Sequence, residues 1–373
     1  MSENNFVKLG DVAHECRLTW SGGQTDIPIV GLEHLVPGEI ELSSWDSNIE
    51  HTFSKKFLKG QVLLGRRRVY LKKAVVAPCD GICSGDITVI ESTGGILPEL
   101  LPFVIQNDRF FDYAMQGSAG SLSPRVKWEH LKNYEFSLPP LAEQKVLADK
   151  LWAAYRLKES YKKLLATTEE MVKSQFIEMF DFEDERLYTP WGDLFDTQLG
   201  KMLDKNKQNP KDISCEYLAN VNVQWGYFEL SNLNRMTFKE KELAKFALQP
   251  NDLLICEGGD AGRCAVWKEE NSQIKFQKAI HRARPLKPDI IDVNYVQYYL
   301  QYYKKSSRLS DFITKGTIEH LTGEKLNNVP VLVPPISLQL QFATIAHQAD
   351  KSGFELRKSI EAIDAVIKSL ISC

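Results

Sequence analysis

Cysteine is scarce in this sequence and poorly placed for joint work. Seven cysteines, an odd number, are scattered over 373 residues, and only Cys79 with Cys83 and Cys256 with Cys264 lie close together. No His/Cys pair completes a zinc spacing, so free thiols in a reducing, cytoplasmic compartment are expected. The stretch from Met1 to Gly10 is polar and carries no apolar signal core. No apolar run approaches the length of a membrane span, so no membrane partner is expected. An excess of one charge is lacking too: the net charge is −3. That excludes a generic polycation, and any contact with nucleic acid would need a local patch or help from a partner.

Catalytic patterns are also missing. The glycine-rich segment Gly258-Gly259-Asp260-Ala261-Gly262-Arg263 has no Lys-Ser/Thr ending, so it is not a phosphate-binding P-loop. A base methyltransferase needs a glycine-rich cofactor turn and an Asn/Asp-Pro-Pro-aromatic loop. The two Pro-Pro sites here read Ser137-Leu138-Pro139-Pro140-Leu141 and Leu332-Val333-Pro334-Pro335-Ile336. A metal-dependent nuclease needs clustered carboxylates to hold Mg²⁺. Pro288-Asp289 is present, but no Glu-x-Lys follows it, and the seven histidines are dispersed.

What is present is a repeat. Pro139-Pro140-Leu141-Ala142-Glu143-Gln144 opens a long helical pattern that runs to about Phe180 with no further glycine or proline. Apolar residues at Leu147, Leu151, Ala154, Leu157, Tyr161, Leu164, Thr168 and Met171 predict a coiled-coil-like seam. About 40 residues at about 1.5 Å each make a rod of about 60 Å. Pro334-Pro335-Ile336-Ser337-Leu338-Gln339 opens a second such pattern that runs to the C-terminus. Its seam reads Ala346, Ala349, Gly353, Leu356, Ile360, Ile363, Ile367 and Leu370.

Before each helix lies a segment of mixed α/β pattern with many short strands. Leu9-Gly10-Asp11-Val12 in the first matches Trp191-Gly192-Asp193-Leu194 in the second, and Gln61-Val62-Leu63-Leu64 matches Asp252-Leu253-Leu254-Ile255. The pattern from Leu100 to Met115 predicts one helix, and His281-Arg282-Ala283-Arg284 predicts a strand with one wet face. The chain therefore divides into a domain over 1–138, a helix over 139–181, a domain over 182–333 and a helix over 334–373. The layout repeats while most side chains differ, which suits one scaffold doing the same job on two targets.

On these features the chain resembles the specificity subunit of type I restriction–modification systems. The resemblance rests on the Pro-Pro-Leu-Ala-Glu-Gln helix start, its echo at Pro334-Pro335 with Gln339, the Leu-Gly-Asp-type opening of each half, and Gly316-Thr317-Ile318 with Leu321. It covers nearly the whole chain. It implies two mixed α/β target recognition domains, separated by two long antiparallel coiled-coil helices, that each read half of a split site in double-stranded DNA. It further implies a non-catalytic chain without a cofactor of its own. Two methyltransferase subunits and the restriction/translocase subunits would supply S-adenosylmethionine, ATP and Mg chemistry. Docking of those partners would fall on Leu141, Glu143, Gln144, Leu147 and Leu151 in the first helix, and on Gln339, Phe342 and Ile345 in the second. Ser337 and Leu338 stand where the first motif has Ala142 and Glu143, a departure at the second docking surface.

For DNA contact, Arg66, Arg67, Arg68, Lys72 and Lys73 form the sharpest basic cluster, since guanidinium fits phosphate oxygens and guanine edges bidentately. Ser121 with Arg125 and Lys315-Gly316-Thr317 sit in matching loops ahead of the prolines. Gly262 with Arg263 could let backbone approach phosphate, or could simply make a tight hairpin turn. A different class also fits the pattern, namely a protein-only scaffold with two interaction domains on a coiled-coil rod.

Overall fold

A computed structural model describes residues 5–22, 26–120, 123–180, 182, 187–202, 212–270, 273–314 and 319–372. The chain forms two compact units, one of residues 1–165 and 355–373, the other of residues 166–354.

The first unit carries strands β1 (Asn5–Lys8), β2 (Ala13–Cys16), β3 (Ile29–Val30), β4 (Lys55–Phe57), β5 (Val62–Gly65), β6 (Ala74–Val76), β7 (Gly81–Cys83), β8 (Ile87–Ser92) and β9 (Glu135–Leu138). Its helices are α1 (Leu9–Val12), α2 (Leu101–Ile105), α3 (Asp108–Gln116), α4 (Trp128–Leu131) and the first part of α5 (Leu141–Met179). A four-stranded sheet runs β2-β8-β5-β6 and a three-stranded sheet β3-β7-β4. All four residues of β5 are buried, as in a strand covered on both faces. The first and last strands, β1 and β9, pair antiparallel with Asn5 opposite Leu138, which brings the two ends of the domain side by side.

The second unit repeats the plan. Its strands are β10 (Tyr188–Pro190), β11 (Phe195–Leu199), β12 (Ile213–Leu218), β13 (Asn234–Phe238), β14 (Leu253–Cys256), β15 (Cys264–Val266), β16 (Lys275–Phe276), β17 (Ile280–Pro285) and β18 (Pro330–Leu332). Its helices are α6 (Trp191–Leu194), α7 (Glu240–Lys245), α8 (Val293–Lys305), α9 (Gly323–Asn327) and the first part of α10 (Ile336–Ser372). The four-stranded sheet is β11-β17-β14-β15, and β10 pairs with β18 as β1 pairs with β9. The small sheets differ: β4 joins β7 in the first unit, whereas β13 joins β12 in the second.

One side chain locks each long helix to its own domain. Pro140 and Pro335 precede α5 and α10, and their carbonyls accept the first helical amides, Glu143 N–H at 2.8 Å and Leu338 N–H at 2.9 Å. One turn on, the buried Gln144 amide donates to the Pro139 carbonyl (2.9 Å) and the Gly95 carbonyl (3.2 Å), and its oxygen accepts from Leu97 N–H (2.8 Å). Gln339 repeats this with the Pro334 carbonyl (2.7 Å), the Ile290 carbonyl (2.9 Å) and Asp292 N–H (2.9 Å). The helix start is thereby welded to the loop after the four-stranded sheet.

Each long helix gives one half to each unit. In the first, Ala148, Leu151 and Tyr155 of α5 join the core, Ile367 and Leu370 of α10 pack against it, and Lys158 meets Asp364 at 2.7 Å. In the second, Val172 and Phe176 of α5 pack with Phe342 and Ala346 of α10, the Phe176 and Phe342 rings lying 5.0 Å apart.

Three expectations need correction. The α5 seam is shifted: Leu157, Leu164 and Met171 are exposed, and the inward positions are Gln144, Ala148, Leu151, Tyr155, Val172 and Phe176. Leu147, Leu151, Ala154, Tyr161 and Thr168 of the expected seam are buried or half-buried, so the departure is confined to those three exposed positions. The α10 seam falls on buried or half-buried positions throughout. The helix expected over Leu100–Met115 is broken at Gln106-Asn107, because the Asn107 side chain caps α3 by accepting from Arg109 N–H (2.9 Å). His281, Arg282 and Ala283 are all buried, so β17 has no wet face there. Arg284 is held by Asp252 at 2.5 and 3.0 Å, and Arg282 donates to the Lys245 carbonyl at 3.1 Å.

Candidate nucleic-acid interface

In the first unit two loops come together. The strand β5 ends at Gly65, and the basic run leaves it towards the segment 123–126. Arg68 N–H donates to the Pro124 carbonyl (2.8 Å), and Val126 N–H donates to the Arg66 carbonyl (3.0 Å). Arg67 bridges to Arg125, and Arg125 to Ala119. The two basic features of the sequence are thus one surface.

Asp86 organises that surface. Arg125 donates to it through two nitrogens, at 2.7 and 3.2 Å, and Arg67 lies 3.6 Å from it while donating to the Ser123 hydroxyl (2.8 Å). The hydrogen bond from Arg125 holds the Asp86 carboxyl below its ordinary range. Both guanidiniums remain more than two-fifths exposed, so they are held in position yet open to a ligand. Asp86 gives no sequence signal of its own: it lies in the turn before β8, some 40 residues from Arg125.

The rest of the basic run divides. Arg68 is exposed and, like Lys72, adopts a left-handed backbone (φ +53° and +52°), with one turn of helix between them. Lys72 turns to Asp108 (2.6 Å) and Lys73 to the Leu32 carbonyl (2.7 Å), so these two lysines are not part of the Arg67–Arg125 surface. Arg66 is half-buried, and its Nε finds no acceptor among the described residues. Ser121 lies outside the described residues.

The second unit holds the same loop pair with other side chains. Gly258 bridges to His320, and His320 to Thr314. Gly258 therefore stands where Arg67 stands, and His320 where Arg125 stands. The glycine-rich segment is the turn of the β14–β15 hairpin, with φ +77° at Gly259 and +92° at Gly262. Arg263 donates to the Asn220 carbonyl (2.8 Å), whose own amide donates to the Gly258 carbonyl (2.8 Å). Trp225 donates to Asp260 (3.2 Å), and Lys304 pairs with Glu319 (2.8 Å). Gly262 and Arg263 thus shape the hairpin. Lys315, Gly316 and Thr317 lie outside the described residues, beside Thr314 and Glu319. His320 and Asn220 were missed by the sequence reading, which stopped at the small residues of the loop.

The expected docking residues separate by exposure. Gln144, Leu151, Gln339 and Phe342 are buried inside their own units, which corrects their assignment to a partner face. Leu141 is exposed, Glu143 is exposed, and Leu147 and Ile345 are half-buried. Phe6, Phe136, Glu143, Val146, Leu147 and Leu370 line an open groove of about 790 Å³ in the first unit. No described helix is long and apolar enough to cross a membrane.

Comparison with known proteins gives one consistent answer. A model of the type I restriction modification DNA specificity domain matches residues 189–364. A type I restriction enzyme (EcoDI) specificity subunit of Escherichia coli is 30% identical over 119 residues, which are 30% of this chain and 26% of that protein. The match thus spans about a quarter of that relative's length. A type I restriction–modification S subunit from M. genitalium superposes with a TM-score of 0.61 over 100% of this chain and 96% of its own, at 13% identity. A structure described as the basis of complex assembly and conformational transition of the type I R-M system gives 0.57 at 17% identity, over 100% of this chain and 97% of its own. At such identities the superpositions establish the fold.

Proposed function

We infer that this chain, which belongs to the type I restriction–modification specificity family, is a DNA-recognition subunit that reads a two-part site. The single observation that carries this reading is the loop pair present twice in one geometry with different side chains. Arg67 and Arg125 answer to Gly258 and His320. Equal placement with unequal chemistry is what two different half-sites require. Arg67, Arg68 and Arg125 serve the first half-site through phosphate or guanine contact. In the second unit His320 and the hairpin turn at Gly262-Arg263 occupy the equivalent place; Lys315, Gly316 and Thr317, a few residues before His320 in the sequence, are assigned to the same half-site.

The helices α5 and α10 set the gap between half-sites and offer surface to partner subunits. Leu141, Val146, Leu157, Leu164 and Met171 are exposed apolar residues along α5 and suit that contact. The chain itself is non-catalytic. Methylation belongs to two methyltransferase subunits that use S-adenosylmethionine, and cleavage to restriction/translocase subunits that use ATP and Mg²⁺. Partner subunits also supply much of the phosphate contact, which accommodates a net charge of −3.

The test is genome-wide methylation mapping in cells that carry the cognate methyltransferase, with and without this chain. A two-part motif with a fixed gap, present only with the chain, is the expected result. An active methyltransferase with no chain-dependent motif would overturn the reading in favour of a protein-only coiled-coil scaffold.

A further inference from the structure

Away from the loop pair, the edge of the four-stranded sheet in the first unit gathers three side chains that can bind a metal. His14 and Cys16 lie two apart on β2 and therefore point to the same face. Glu91 on β8 is the register partner of His14. The Cys16 sulfur lies 3.7 Å from His14 Nε2 and 3.2 Å from Glu91 Oε2. The three ligand atoms all lie within 4.8 Å of one another. A tetrahedral ion with a bond of about 2.3 Å to sulfur, and about 2.0–2.2 Å to nitrogen and oxygen, holds its ligand atoms about 3.4–3.6 Å apart. The cluster needs little more than a rotamer adjustment to meet that geometry.

A fourth residue orients the set. Gln61 is buried, and its amide donates both to Glu91 Oε2 (3.0 Å) and to the Cys16 sulfur (3.3 Å), while its oxygen accepts from Leu58 N–H (2.8 Å). Outer hydrogen bonds of this kind fix ligand direction in metal sites. Cys16 reaches the site from an apolar cluster that includes Val30, Leu63 and Val89, while His14 and Glu91 stand at the surface. The site is thus anchored on one side and open to solvent on the other.

We propose that His14, Cys16 and Glu91 bind a divalent cation of the zinc class, with water in the fourth position. The ligand softness argues for this class: thiolate and imidazole select borderline ions, and an isolated hard cation would not take sulfur. Charge balances, since the Cys16 thiolate and the Glu91 carboxylate together neutralise a dication. Without an ion, the Cys16 thiol donates to Glu91 at 3.2 Å. Binding forms the sulfur–metal bond and releases the thiol proton to solvent. Glu91 lies 77 residues from His14 and 75 from Cys16, which is why no zinc spacing is readable in the string.

The full chain, titrated with Co²⁺ as a spectroscopic stand-in and with Zn²⁺ against a chromophoric chelator, tests this. The expected result is one equivalent bound, a thiolate-to-cobalt charge-transfer band, and at least a tenfold loss of affinity in both Cys16→Ser and His14→Ala. Zn²⁺ should also raise the melting temperature of the native chain but not that of His14→Ala. Because His14 is exposed, that variant keeps the fold even if Cys16→Ser does not. No cobalt–thiolate band in the folded native chain, or a band undiminished in His14→Ala, overturns the proposal.

Discussion

Gln144 and Gln339 show how much structure one amide can hold. Each satisfies three backbone groups at the joint between a domain and its helix. Replacing Gln144 by leucine keeps most of the volume but leaves Leu97 N–H and the carbonyls of Gly95 and Pro139 without that partner. The expected cost is about 1–3 kcal/mol, read as a lowered melting temperature or urea midpoint, with a similar cost for Gln339→Leu. Asp86 acts at the same scale. Its folded pKa is lowered chiefly by the hydrogen bond from Arg125, so its contribution is complete above the unfolded value, near 3.8, and is lost as pH falls through the lower folded value. The protection of the Arg68 and Val126 amides, taken relative to their intrinsic exchange rates, should therefore fall on acidification below about pH 4, and Asp86→Asn should remove that pH dependence. An exchange profile indifferent to Asp86 would mean the guanidiniums are placed by the backbone bridges alone.

Among the elements, α5 carries two faces with different work. Its inward face uses Ala148, Leu151, Tyr155, Val172 and Phe176, and Tyr155 reaches out to accept from Ile40 N–H at 3.3 Å. Leu157 and Leu164 lie outward, one heptad apart. The double change Leu157→Glu with Leu164→Glu should leave the stability of the isolated chain within about 0.5 kcal/mol per substitution of the native value, since surface substitutions usually do. It should weaken co-purification with methyltransferase subunits. Equal co-purification would move the partner contact to the groove beside Phe6 and Val146. The existence and start of both helices were readable, because two prolines and a glutamine recur at one constant offset. The phase of α5 was readable only in part, because Leu151 is buried while Leu157, Leu164 and Met171 are exposed, and Gln144, Ala148 and Tyr155 complete the inward stripe. The β5–Asp86–Arg125 assembly was unreadable for another reason: strand pairing, not sequence distance, decides which loops meet.

For the whole chain, the two units share each long helix, and Lys158–Asp364 and Phe176–Phe342 mark matched positions on the pair. Removing one heptad from both helices at matched positions shortens them by about 10 Å, or about three base pairs of duplex. The methylated motif should then lose about three bases of unread gap and keep both half-sites. Unchanged spacing would show that the helices do not set it. The duplicated plan itself was legible from order alone, in the Gly-Asp openings, the apolar strand before each loop and the Pro-Pro helix starts. The fourfold sheet order and the swap of β4 against β13 were not, since short strands of similar composition can pair on either side of a neighbour.

The pairing of β1 with β9, and of β10 with β18, has an evolutionary consequence. Each domain opens and closes on one two-stranded ribbon, so its first and last strands lie side by side. A body attached in this way behaves as an interchangeable cassette. A foreign domain carrying the same ribbon, the Gly-Asp opening and a docking loop for the glutamine could be grafted in its place, and under the proposed function a new DNA target would follow from exchange at the ribbon's two strands rather than from the slow revision of individual contacts.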